Sequence, residues 1–350
     1  MENILVTGGC GYIGSHVTLS LLEKGYDVTV LDSNINSSRS ILKKIQILSG
    51  ANTKTKIGKL SFSRVDIRNK FSLEKVFSEN ASKGKEFNAV IHLAGLKSVK
   101  ESINYPEAYW DINVNGSINL LNTMHKHNCF KLVFSSSATV YGHPKKYPIL
   151  ENFETHPINP YGQTKLKVEN IIKEKFCQNP NQFKFIILRY FNPIGAHYSG
   201  MIGEQWKYCS DNLFPSILKV ALRRKKFLKV YGRNWPTIDG TTIRDYIHIM
   251  DLADGHVAAL DYMKEKKSHY LILNLGTGIE TSILELIKKF ESTNKIDIPL
   301  RFIDPRKGDT PILLADSKLA SKILNWKSTK NLSDMCRDGW KFAQQCSRGF

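Results

Sequence analysis

A tyrosine and a lysine four positions apart follow an Asn-Pro pair in the stretch NPYGQTKLKVEN. Asn159 favours a helix N-cap, and Pro160 suits the first helical position, where its missing N–H costs nothing. Tyr161 then lies in the first turn, with Lys165 one turn later on the same helix face. This spacing fits either a packed face of an amphipathic helix or an acid/base pair.

The acid/base interpretation requires a stabilised phenolate, since an unperturbed tyrosine has a pKa of about 10. The ammonium of Lys165 and the positive end of the helix would both favour the phenolate, and we expect them to bring the pKa of Tyr161 toward the working range. Ser137, in the stretch SSSATVYG, could hydrogen-bond a substrate hydroxyl. Oxidation of a sugar or alcohol C–OH group needs such a base, a hydroxyl anchor and an oxidised nicotinamide that takes hydride.

Short apolar runs alternate with amphipathic stretches through the first half of the chain. The runs typical of buried strands are NILVTG, DVTVLD, LSFSRVD, NAVIHLAG, KLVFSSS and FKFIILRYF. Helical patterns lie between them, including residues 13–24 and 107–127. The alternation predicts a parallel sheet with helices on both faces and an active site beyond the carboxyl ends of the strands. SSSATVYG, the Tyr161/Lys165 pair and LRYFNP all fall at that edge.

The rhythm changes after about residue 191, where Gly, Pro, Trp and Asn become frequent and helical patterns are shorter, at 251–264 and 283–291. We therefore predict an α/β protein with a Rossmann-type doubly wound parallel sheet and a smaller C-terminal α/β substrate-binding domain. The predicted Rossmann domain covers residues 1–190, and the predicted substrate-binding domain covers residues 191–350. No linker or low-complexity segment marks the boundary, so we expect it to be soft and the domains to interleave.

A glycine-rich turn, TGGCGYIGSH, follows the first strand directly and opens the first helix. Gly8, Gly11 and Gly14 allow the tight turn and close backbone approach that a pyrophosphate needs, with a helix N-terminus aimed at that anion. Asp32 ends the second strand, 18 residues past Gly14. A carboxylate there would bind an adenosine ribose and repel a 2′-phosphate, so the sequence predicts NAD rather than NADP. The alternative is a glycine-rich strand–helix turn that binds no ligand.

The chain is long enough to bury a large core, with 350 residues of which 41% are hydrophobic. No apolar run approaches the ~18 residues of a membrane span, and the N-terminus lacks the layout of a signal peptide. The six cysteines form no C-x-x-C pair and no framework spacing, which favours reduced thiols. We therefore expect a cytoplasmic protein with no membrane partner.

The formal net charge of +18 raises the question of a nucleic-acid partner. Most lysines are scattered, and the densest cluster, residues 223–226, is only four residues long and falls at a predicted helix end. A lysine-rich solvated surface is therefore favoured over a nucleic-acid face, although small acidic substrates would benefit from the field. The histidines lack ligand spacing, since His125 and His127 face different sides of a helix, and no metal site is predicted.

Motifs along nearly the whole chain resemble a known enzyme family. TGGCGYIGSH, SSSATVYG, YGQTK and LRYFNPIGAH together resemble the extended short-chain dehydrogenase/reductases. AGLKSVKES, DGTTIRDYIHIMDLADGH, NLGTG and PRKGD resemble, more specifically, the UDP-galactose 4-epimerase family, over residues 2–342. The resemblance implies reversible epimerisation at C4 of UDP-galactose and UDP-glucose in galactose metabolism, through a 4-keto intermediate and with tightly bound NAD. It also implies a homodimer, with a four-helix interface from the helices around 107–127 and after Pro160.

The same resemblance implies a role for each matching residue. It makes Tyr161 the base, Lys165 its support and a ligand of the nicotinamide ribose, and Ser137 the anchor of the sugar hydroxyl. The implied cofactor-binding residues are Gly8, Gly11, Tyr12, Ile13, Gly14, Asp32, Asn36, Asp66, Ile67, Leu93, Ala94, Gly95, Lys97, Asn113, Tyr161, Lys165 and Phe191. The implied substrate-binding residues are Lys97, Ser137, Asn192, Asn212, Leu213, Tyr231, Arg244, Arg306 and Leu313.

Two positions depart from the family pattern. Ile112 stands where some members have an asparagine near the cofactor, and the neighbouring Asn113 could take that role. Leu313 stands at the position where the family has a tyrosine in enzymes restricted to glucose and galactose and a small residue in those that accept N-acetylated sugars. The bulk of leucine favours the unacetylated pair.

Several alternatives stay open. An epimerase of N-acetylhexosamine or uronate UDP-sugars, or a decarboxylase, is not excluded by the residues alone. A 4,6-dehydratase is disfavoured, because Ser137-Ala138 carries no acid/base carboxylates. A non-catalytic NAD- or RNA-binding relative is disfavoured by the retained serine, tyrosine and lysine. Individually, Arg244 could pair with Asp245, and Asn212 could cap a helix.

Overall fold

The computed structural model describes residues 1–50, 57–205, 212–265, 268–306 and 308–347. Its strands are β1 (Asn3–Thr7), β2 (Asp27–Asp32), β3 (Leu60–Arg64), β4 (Ala89–His92), β5 (Lys131–Ser137), β6 (Lys184–Tyr190), β7 (Asn192–Ile194), β8 (Leu228–Tyr231), β9 (Ile243–Arg244), β10 (Tyr246–His248), β11 (His269–Leu275), β12 (Thr281–Ser282), β13 (Leu300–Ile303) and β14 (Ile312–Leu313). Its α-helices are α1 (Tyr12–Glu23), α2 (Ser40–Gly50), α3 (Lys70–Ala81), α4 (Val99–Asn104), α5 (Pro106–Tyr109), α6 (Gly116–Lys126), α7 (Pro160–Gln178), α8 (Leu213–Ala221), α9 (Ile249–Glu265), α10 (Ile283–Asn294), α11 (Lys318–Leu324) and α12 (Leu332–Ser347). A π-helical segment covers Trp110–Asn115, and a 3₁₀ turn covers Ala138–Tyr141.

Seven parallel strands form the central sheet, in the order β11-β6-β5-β4-β1-β2-β3. Each of the six apolar runs of the first half contributes one of these strands. Five of these strands are buried on both faces, as continuous Val, Ile, Leu and Phe runs predict, whereas β3 is only partly buried because it lies at the edge of the sheet. The strand order reverses at β1, between β2 and β4, which makes this the switch point where ligands bind. The predicted fold class is thereby confirmed.

Two hydrophobic layers cover the sheet. One face packs against α1, α2 and α9 through residues such as Val17, Ile45 and Leu252. The other packs against α3, α6 and α7 through residues such as Phe77 and Ile172. This arrangement holds the ends of β1, β4, β5 and β6 at one edge, so that groups following those strands meet there.

The chain after residue 191 contributes to the large sheet and also forms the small sheets. Strand β11 extends the large sheet beside β6, and α9 packs on the same face as α1. The remaining strands form three small sheets, ordered β10-β7, β12-β9-β14 and β13-β8. Helices α8, α10 and α12 pack on these sheets around a separate apolar cluster that includes Phe214, Phe290 and Met335.

The helical pattern at 107–127 is not one regular helix. It folds as α5, the π-helical segment and α6, so the α-helical ladder is interrupted between Trp110 and Asn115. Such π segments are rare and often stand at functional sites.

Across the described residues, none of the helices combines the length and apolar character that a membrane crossing requires.

Candidate active site

The glycine-rich turn after β1 packs backbone against backbone. Gly8 has a φ of 72°, and a Cβ there would lie 2.7 Å from the backbone nitrogen of Ala94. A Cβ on Gly14 would collide with the carbonyl of Gly8. Gly11 occupies the N-cap of α1, and because glycine has no side chain it cannot cap the first-turn N–H groups. Those groups, at the positive end of α1, are thus available to an anion.

A long groove runs from this turn across the carboxyl edge of the sheet. The predicted cofactor residues that line it are Gly8, Gly11, Tyr12, Ile13, Gly14, Asp32, Asn36, Asp66, Ile67, Leu93, Ala94, Gly95, Lys97, Tyr161 and Lys165. Cys10, Ile112, Ser135, Tyr190, Glu204 and Gln205 also line it. We call this the cofactor groove.

Two carboxylates follow strands β2 and β3 at one end of the cofactor groove. Asp32 is buried and accepts hydrogen bonds from the backbone N–H of Cys10 at 3.0 Å and the hydroxyl of Ser37 at 2.8 Å. Asp66 pairs with Arg68 at 2.7 Å, and this hydrogen-bonded guanidinium is the main cause that lowers the pKa of Asp66 below its usual value. Both carboxylates are therefore held in place by their neighbours.

A lysine–glutamate pair closes one wall of the cofactor groove. The Nζ of Lys97 lies 2.5 Å from Oε1 of Glu204 and 5.6 Å from the ring centroid of Tyr12. Tyr12 in turn donates its hydroxyl to the carbonyl of Gly195 at 2.8 Å. The start of α1 is thus tied to the segment that carries Glu204.

Helix α7 begins as its sequence predicts. The side chain of Asn159 caps it by accepting a hydrogen bond from the N–H of Gly162 at 2.8 Å, and Pro160 is the first helical residue. A Cβ on Gly162 would lie 2.9 Å from the carbonyl oxygen of Thr139, so glycine lets the first turn approach the 3₁₀ turn after β5. This close approach brings Tyr161 to Ser137.

The three predicted catalytic residues come together, each at most 8% exposed. The side chain of Ser137 lies beside the phenol of Tyr161 and favours its ionised form. The ammonium of Lys165 donates to the carbonyl of Ser135 at 2.7 Å and lies 5.9 Å from the Tyr161 ring centroid. Burial lowers the pKa of Lys165 to about 8, and the negative charge of Glu169 opposes that shift.

The expectation that Lys165 lowers the pKa of Tyr161 is wrong for the chain on its own. Burial raises the pKa of Tyr161 above its usual value, and the side chain of Ser137 and the charge of Lys97 oppose this only in part. The reason is geometric, since the ammonium of Lys165 is engaged by Ser135. Desolvation therefore outweighs the nearby charges.

A second groove lies over the small sheets, and we call it the basic groove. The predicted substrate residues that line it are Asn192, Leu213, Tyr231, Arg244 and Arg306. Ser216, Lys225, Lys226, Phe227, Leu228, Lys229, Thr242, Tyr246, Ile283 and Asp309 complete its lining. Tyr190 lines the cofactor groove and Asn192 lines the basic groove, so the two grooves adjoin where β6 passes into β7.

Arg244 does not use Asp245 as its partner. The carboxylate of Asp245 accepts hydrogen bonds from the N–H and hydroxyl of Thr277 and from the N–H groups of Gly278 and Ala315. Arg244 donates to the carbonyl of Ile243 at 2.8 Å and lines the basic groove. The alternative of a simple Arg244–Asp245 ion pair is therefore wrong.

Several other groups in the basic groove suit a nucleotide. The guanidinium carbon of Arg306 lies 3.6 Å from the ring centroid of Tyr231. The buried Oδ1 of Asn192 makes no hydrogen bond within the described residues. Asn212 lies outside the lining of this groove, at the N-cap position of α8, but its side chain makes no capping hydrogen bond there.

Several predicted site residues lie outside both groove linings. Asn113 is buried and fastens the loop after β4, accepting from the N–H of Leu96 at 2.8 Å and donating to the hydroxyl of Thr164 at 3.1 Å. Its neighbour Ile112 lines the cofactor groove instead. Phe191 and Leu313 belong to one apolar cluster. Ser137 stands in neither lining, but it lies beside Tyr161, which lines the cofactor groove.

Other lining residues could not be found from a motif. Glu204 and Gln205 come to the cofactor groove from a loop, and Lys225, Lys226 and Lys229 come to the basic groove from a run that looked like surface. The concentration of cations at 223–229 was the one available signal. Within the described residues, no group of three or more His, Cys, Asp or Glu is arranged to hold a metal ion.

Comparison with known proteins places this geometry among related enzymes. Residues 5–339 match the family model described as GDP-mannose 4,6 dehydratase. The chain is 46% identical over 350 residues to the bifunctional UDP-glucose 4-epimerase and UDP-xylose 4-epimerase 3 of Arabidopsis thaliana, covering 100% of this chain and 97% of that protein.

Two solved structures are also similar over the full length of both chains. The UDP-glucose 4-epimerase of Stenotrophomonas maltophila, with bound NAD and formylated UDP-arabinopyranose, is 41% identical with a TM-score of 0.94 and 100% of each chain covered. The UDP-glucose 4-epimerase of Bifidobacterium longum, in complex with NAD+ and UDP, is 40% identical with a TM-score of 0.92, again with 100% of each chain covered.

Proposed function

The chain belongs to the UDP-glucose 4-epimerases of the extended short-chain dehydrogenase/reductase family, and we propose that it interconverts UDP-galactose and UDP-glucose in galactose metabolism. It is an NAD-dependent isomerase acting at C4 of UDP-glucose. The observation that carries the proposal is the junction of the two grooves, where Tyr161 and Ser137 lie together beside the Tyr190–Asn192 passage. We retain residues 1–190 and 191–350 as the proposed cofactor and substrate parts.

The residues of the cofactor groove fit NAD. The uncapped start of α1 suits the pyrophosphate, and Asp32 at the end of β2 suits an adenosine ribose. Asn36, Asp66 and Ile67 would surround the adenosine end. When bound, NAD supplies the hydride acceptor and donor and, in its oxidised form, a positive charge.

The catalytic trio handles the proton of the sugar 4-hydroxyl. Tyr161 accepts this proton as the sugar becomes a 4-keto intermediate, and it returns the proton when the opposite C4 configuration forms. Ser137, beside Tyr161, orients the hydroxyl. Ser137 and the charge of Lys97 both favour the phenolate against the effect of burial. Lys165 fixes the nicotinamide ribose beside them.

The basic groove would hold the UDP handle. Arg244 and Arg306 can each bind a diphosphate through paired hydrogen bonds, as guanidinium groups do. Tyr231 offers a ring face beside Arg306, and Asn192 offers an unsatisfied buried carbonyl oxygen. Holding the diphosphate while the sugar turns would present both faces of C4 to the same trio.

Leu313 would limit the sugar that turns over. It lies in β14, paired in register with Arg244 of β9, and packs in the same apolar cluster as Phe191. Leucine leaves less room than a small residue, so we propose preference for UDP-hexoses without an N-acetyl group. Leu313→Gly should raise kcat/KM for UDP-N-acetylgalactosamine relative to UDP-galactose, and an unchanged ratio would contradict this assignment.

We also propose a homodimer in a cytoplasmic compartment. Four large apolar side chains around α4 and the π-helical segment are exposed, namely Val99, Ile103, Tyr105 and Trp110. A two-fold interface would cover such a patch. The described cysteines are free thiols, as expected in a reducing compartment. Sedimentation of the wild type and Ile103→Asp tests the dimer, since a wild-type monomer would contradict it.

The direct test of the proposed reaction uses the purified chain and UDP-galactose, with and without added NAD. UDP-glucose should form in both reactions, because NAD regenerated in each cycle can stay bound. A folded, NAD-containing protein that forms no UDP-glucose would overturn the proposal. Salt-sensitive RNA binding by such an inactive protein would instead favour the non-catalytic alternative.

A further inference from the structure

A buried ion pair lies one turn beyond Lys165 on the catalytic helix. Glu169 and Arg189 have side chains only 2% and 4% exposed. Their contact is bidentate, with Nη2 of Arg189 2.6 Å from Oε2 and Nε 3.0 Å from Oε1 of the glutamate. Neither residue lines the cofactor groove or the basic groove.

The pair fastens α7 to two neighbouring strands of the sheet. Arg189 lies on β6, and Glu169 also accepts a short hydrogen bond from the hydroxyl of Ser136 on β5. The adjacent Ser135 carbonyl is the acceptor of the Lys165 ammonium at 2.7 Å. Lys165 and Glu169, one helical turn apart on α7, therefore hydrogen-bond two consecutive residues of β5 directly before Ser137.

Arg189 extends this anchor behind the catalytic residues. Its Nη1 donates to the carbonyl of Glu151 at 3.2 Å, and its guanidinium carbon lies 4.9 Å from the ring centroid of Tyr141. Tyr141 donates its hydroxyl to Asn274 of β11 at 2.7 Å. The ion pair thus joins α7, β5, β6 and β11 below the catalytic trio.

The charge of Glu169 also bears on Lys165. The titratable groups around this ammonium are Tyr161 and Glu169 on α7, Arg189 and Tyr190 on β6, and His92 on β4. His92 is neutral because burial lowers its pKa to about 3, and burial raises the pKa of both tyrosines. Among the described residues, Glu169 supplies the negative charge that favours the ammonium.

We propose that Glu169, held by Arg189, is a positioning residue of the epimerase reaction that keeps Lys165 charged and in register with Ser137 and Tyr161. A buried ion pair is weak support for stability as such, because well-packed neutral residues often replace one without loss. Because the ion pair lies between Lys165 and β5, the strand that carries Ser137, we assign it a role in the reaction rather than in stability. This inference rests on the proposed function, in which the Lys165 ammonium is the active form.

The test compares Glu169→Gln with the double variant Glu169→Gln, Arg189→Gln and with Glu174→Gln. Glu174 is exposed on the same helix and provides the matched control. Rates with UDP-galactose are measured as a function of pH and divided by the number of NAD-containing active sites, so that partial unfolding does not enter. Thermal unfolding and bound NAD are measured on the same samples.

Loss of the Glu169 charge should move the high-pH limb of kcat to lower pH by about one unit, with up to about a tenfold loss of kcat above that limb. Glu169→Gln alone leaves a buried guanidinium unpaired, so this variant should unfold at a lower temperature than the wild type. Its high-pH limb of kcat should shift at least as far as that of the double variant. The double variant should recover thermal stability but keep the shifted limb. Glu174→Gln should match the wild type in all three measurements.

A merely structural pair would behave differently. In that case the double variant would regain both stability and a wild-type pH profile, and this result would overturn the proposal. The proposal would also be overturned if the high-pH limb of kcat, calculated per NAD-containing active site, did not shift in Glu169→Gln. Wild-type protein without epimerase activity would instead refute the proposed function, so the two failures are distinguishable.

Discussion

The cofactor groove and the basic groove are each proposed to bind a diphosphate, but they offer it different chemical groups. Among the described residues, the cofactor groove is lined by three acidic residues and two cations, namely Asp32, Asp66, Glu204, Lys97 and Lys165. Counted over the same residues, the basic groove is lined by five cations and one acidic residue, namely Lys225, Lys226, Lys229, Arg244, Arg306 and Asp309. The first offers the backbone N–H groups of α1 to its anion, whereas the second offers side-chain charge.

This difference matches what each ligand must do. Backbone amides at a helix start are fixed by the fold, so they hold a resident cofactor without mobile side chains. Guanidinium and ammonium groups are long and adjustable, and they suit a substrate that enters, turns and leaves. Tyr161, at the junction, supplies the proton transfer rather than a diphosphate contact, so its role should be separable from both modes of binding.

The largest expected effect removes the base at the junction. Tyr161→Phe should lower kcat about 10³-fold, because general-base catalysis contributes on the order of 10²–10⁴-fold. NAD content and the affinity for UDP should remain close to wild type, since the phenol oxygen contacts Ser137 and neither diphosphate site. Initial rates and bound NAD are measured together. Retained turnover would mean that the assigned base is wrong.

The basic groove is tested by removing one guanidinium. Arg244→Ala should raise KM for UDP-galactose about 10–100-fold, since hydrogen bonds to charged groups contribute about 1.5–3 kcal/mol each. Bound NAD should be unchanged, because Arg244 does not line the cofactor groove.

Arg233→Ala is the matched control for this prediction. Arg233 is exposed two residues past Tyr231, where it contacts the ring of Phe302, and it does not line the basic groove. Its loss should leave KM within about twofold of wild type. Equal effects of the two variants would point to general charge rather than a specific contact.

The cofactor groove is tested at the strand end of β2. Asp32→Asn should weaken NAD binding about tenfold and reduce the preference over NADP, because a carboxylate binds a ribose diol and repels a 2′-phosphate. KM for UDP-galactose at saturating NAD should not change. Asp27→Asn, at the opposite end of the same strand, is the control. Unaltered NAD/NADP preference would remove Asp32 from the cofactor site.

The smallest expected effect concerns salt. Raising ionic strength from about 0.05 to 0.5 M should raise KM for UDP-galactose several-fold, because exposed cations are screened over a Debye length. Bound NAD should change less, since the backbone N–H groups of α1 carry only partial charges and are fixed by the fold. Steady-state kinetics and cofactor retention across the salt series check this. Equal salt dependence would erase the contrast between the grooves.

The sequence predicted the parts of this molecule in which chemistry and local structure coincide. The cap at Asn159, the helix start at Pro160 and the Tyr161/Lys165 face follow from local propensity alone, and the glycine turn carries its own geometry. The six strands of the first half were visible because buried parallel strands are continuously apolar.

Features that depend on packing between distant segments were not predictable in the same way. β11 joins the large sheet beside β6 although 78 residues separate the two strands in the chain, and Glu204 reaches Lys97 from a loop. The hydrophobic periodicity of the sequence does not reveal the π-helical segment. Within that segment, Ile112 rather than Asn113 lines the cofactor groove. The raised pKa of Tyr161 reflects burial, which spacing on a helix does not reveal.

The central claim is that one resident cofactor and the Tyr161 trio invert C4 within a single enclosed site. The most direct measurement incubates the purified chain with UDP-glucose deuterated at C4, without added NAD, and follows the products by NMR. The account predicts UDP-galactose that retains deuterium at C4. Formation of no UDP-galactose, or of UDP-galactose carrying solvent hydrogen at C4, would contradict it.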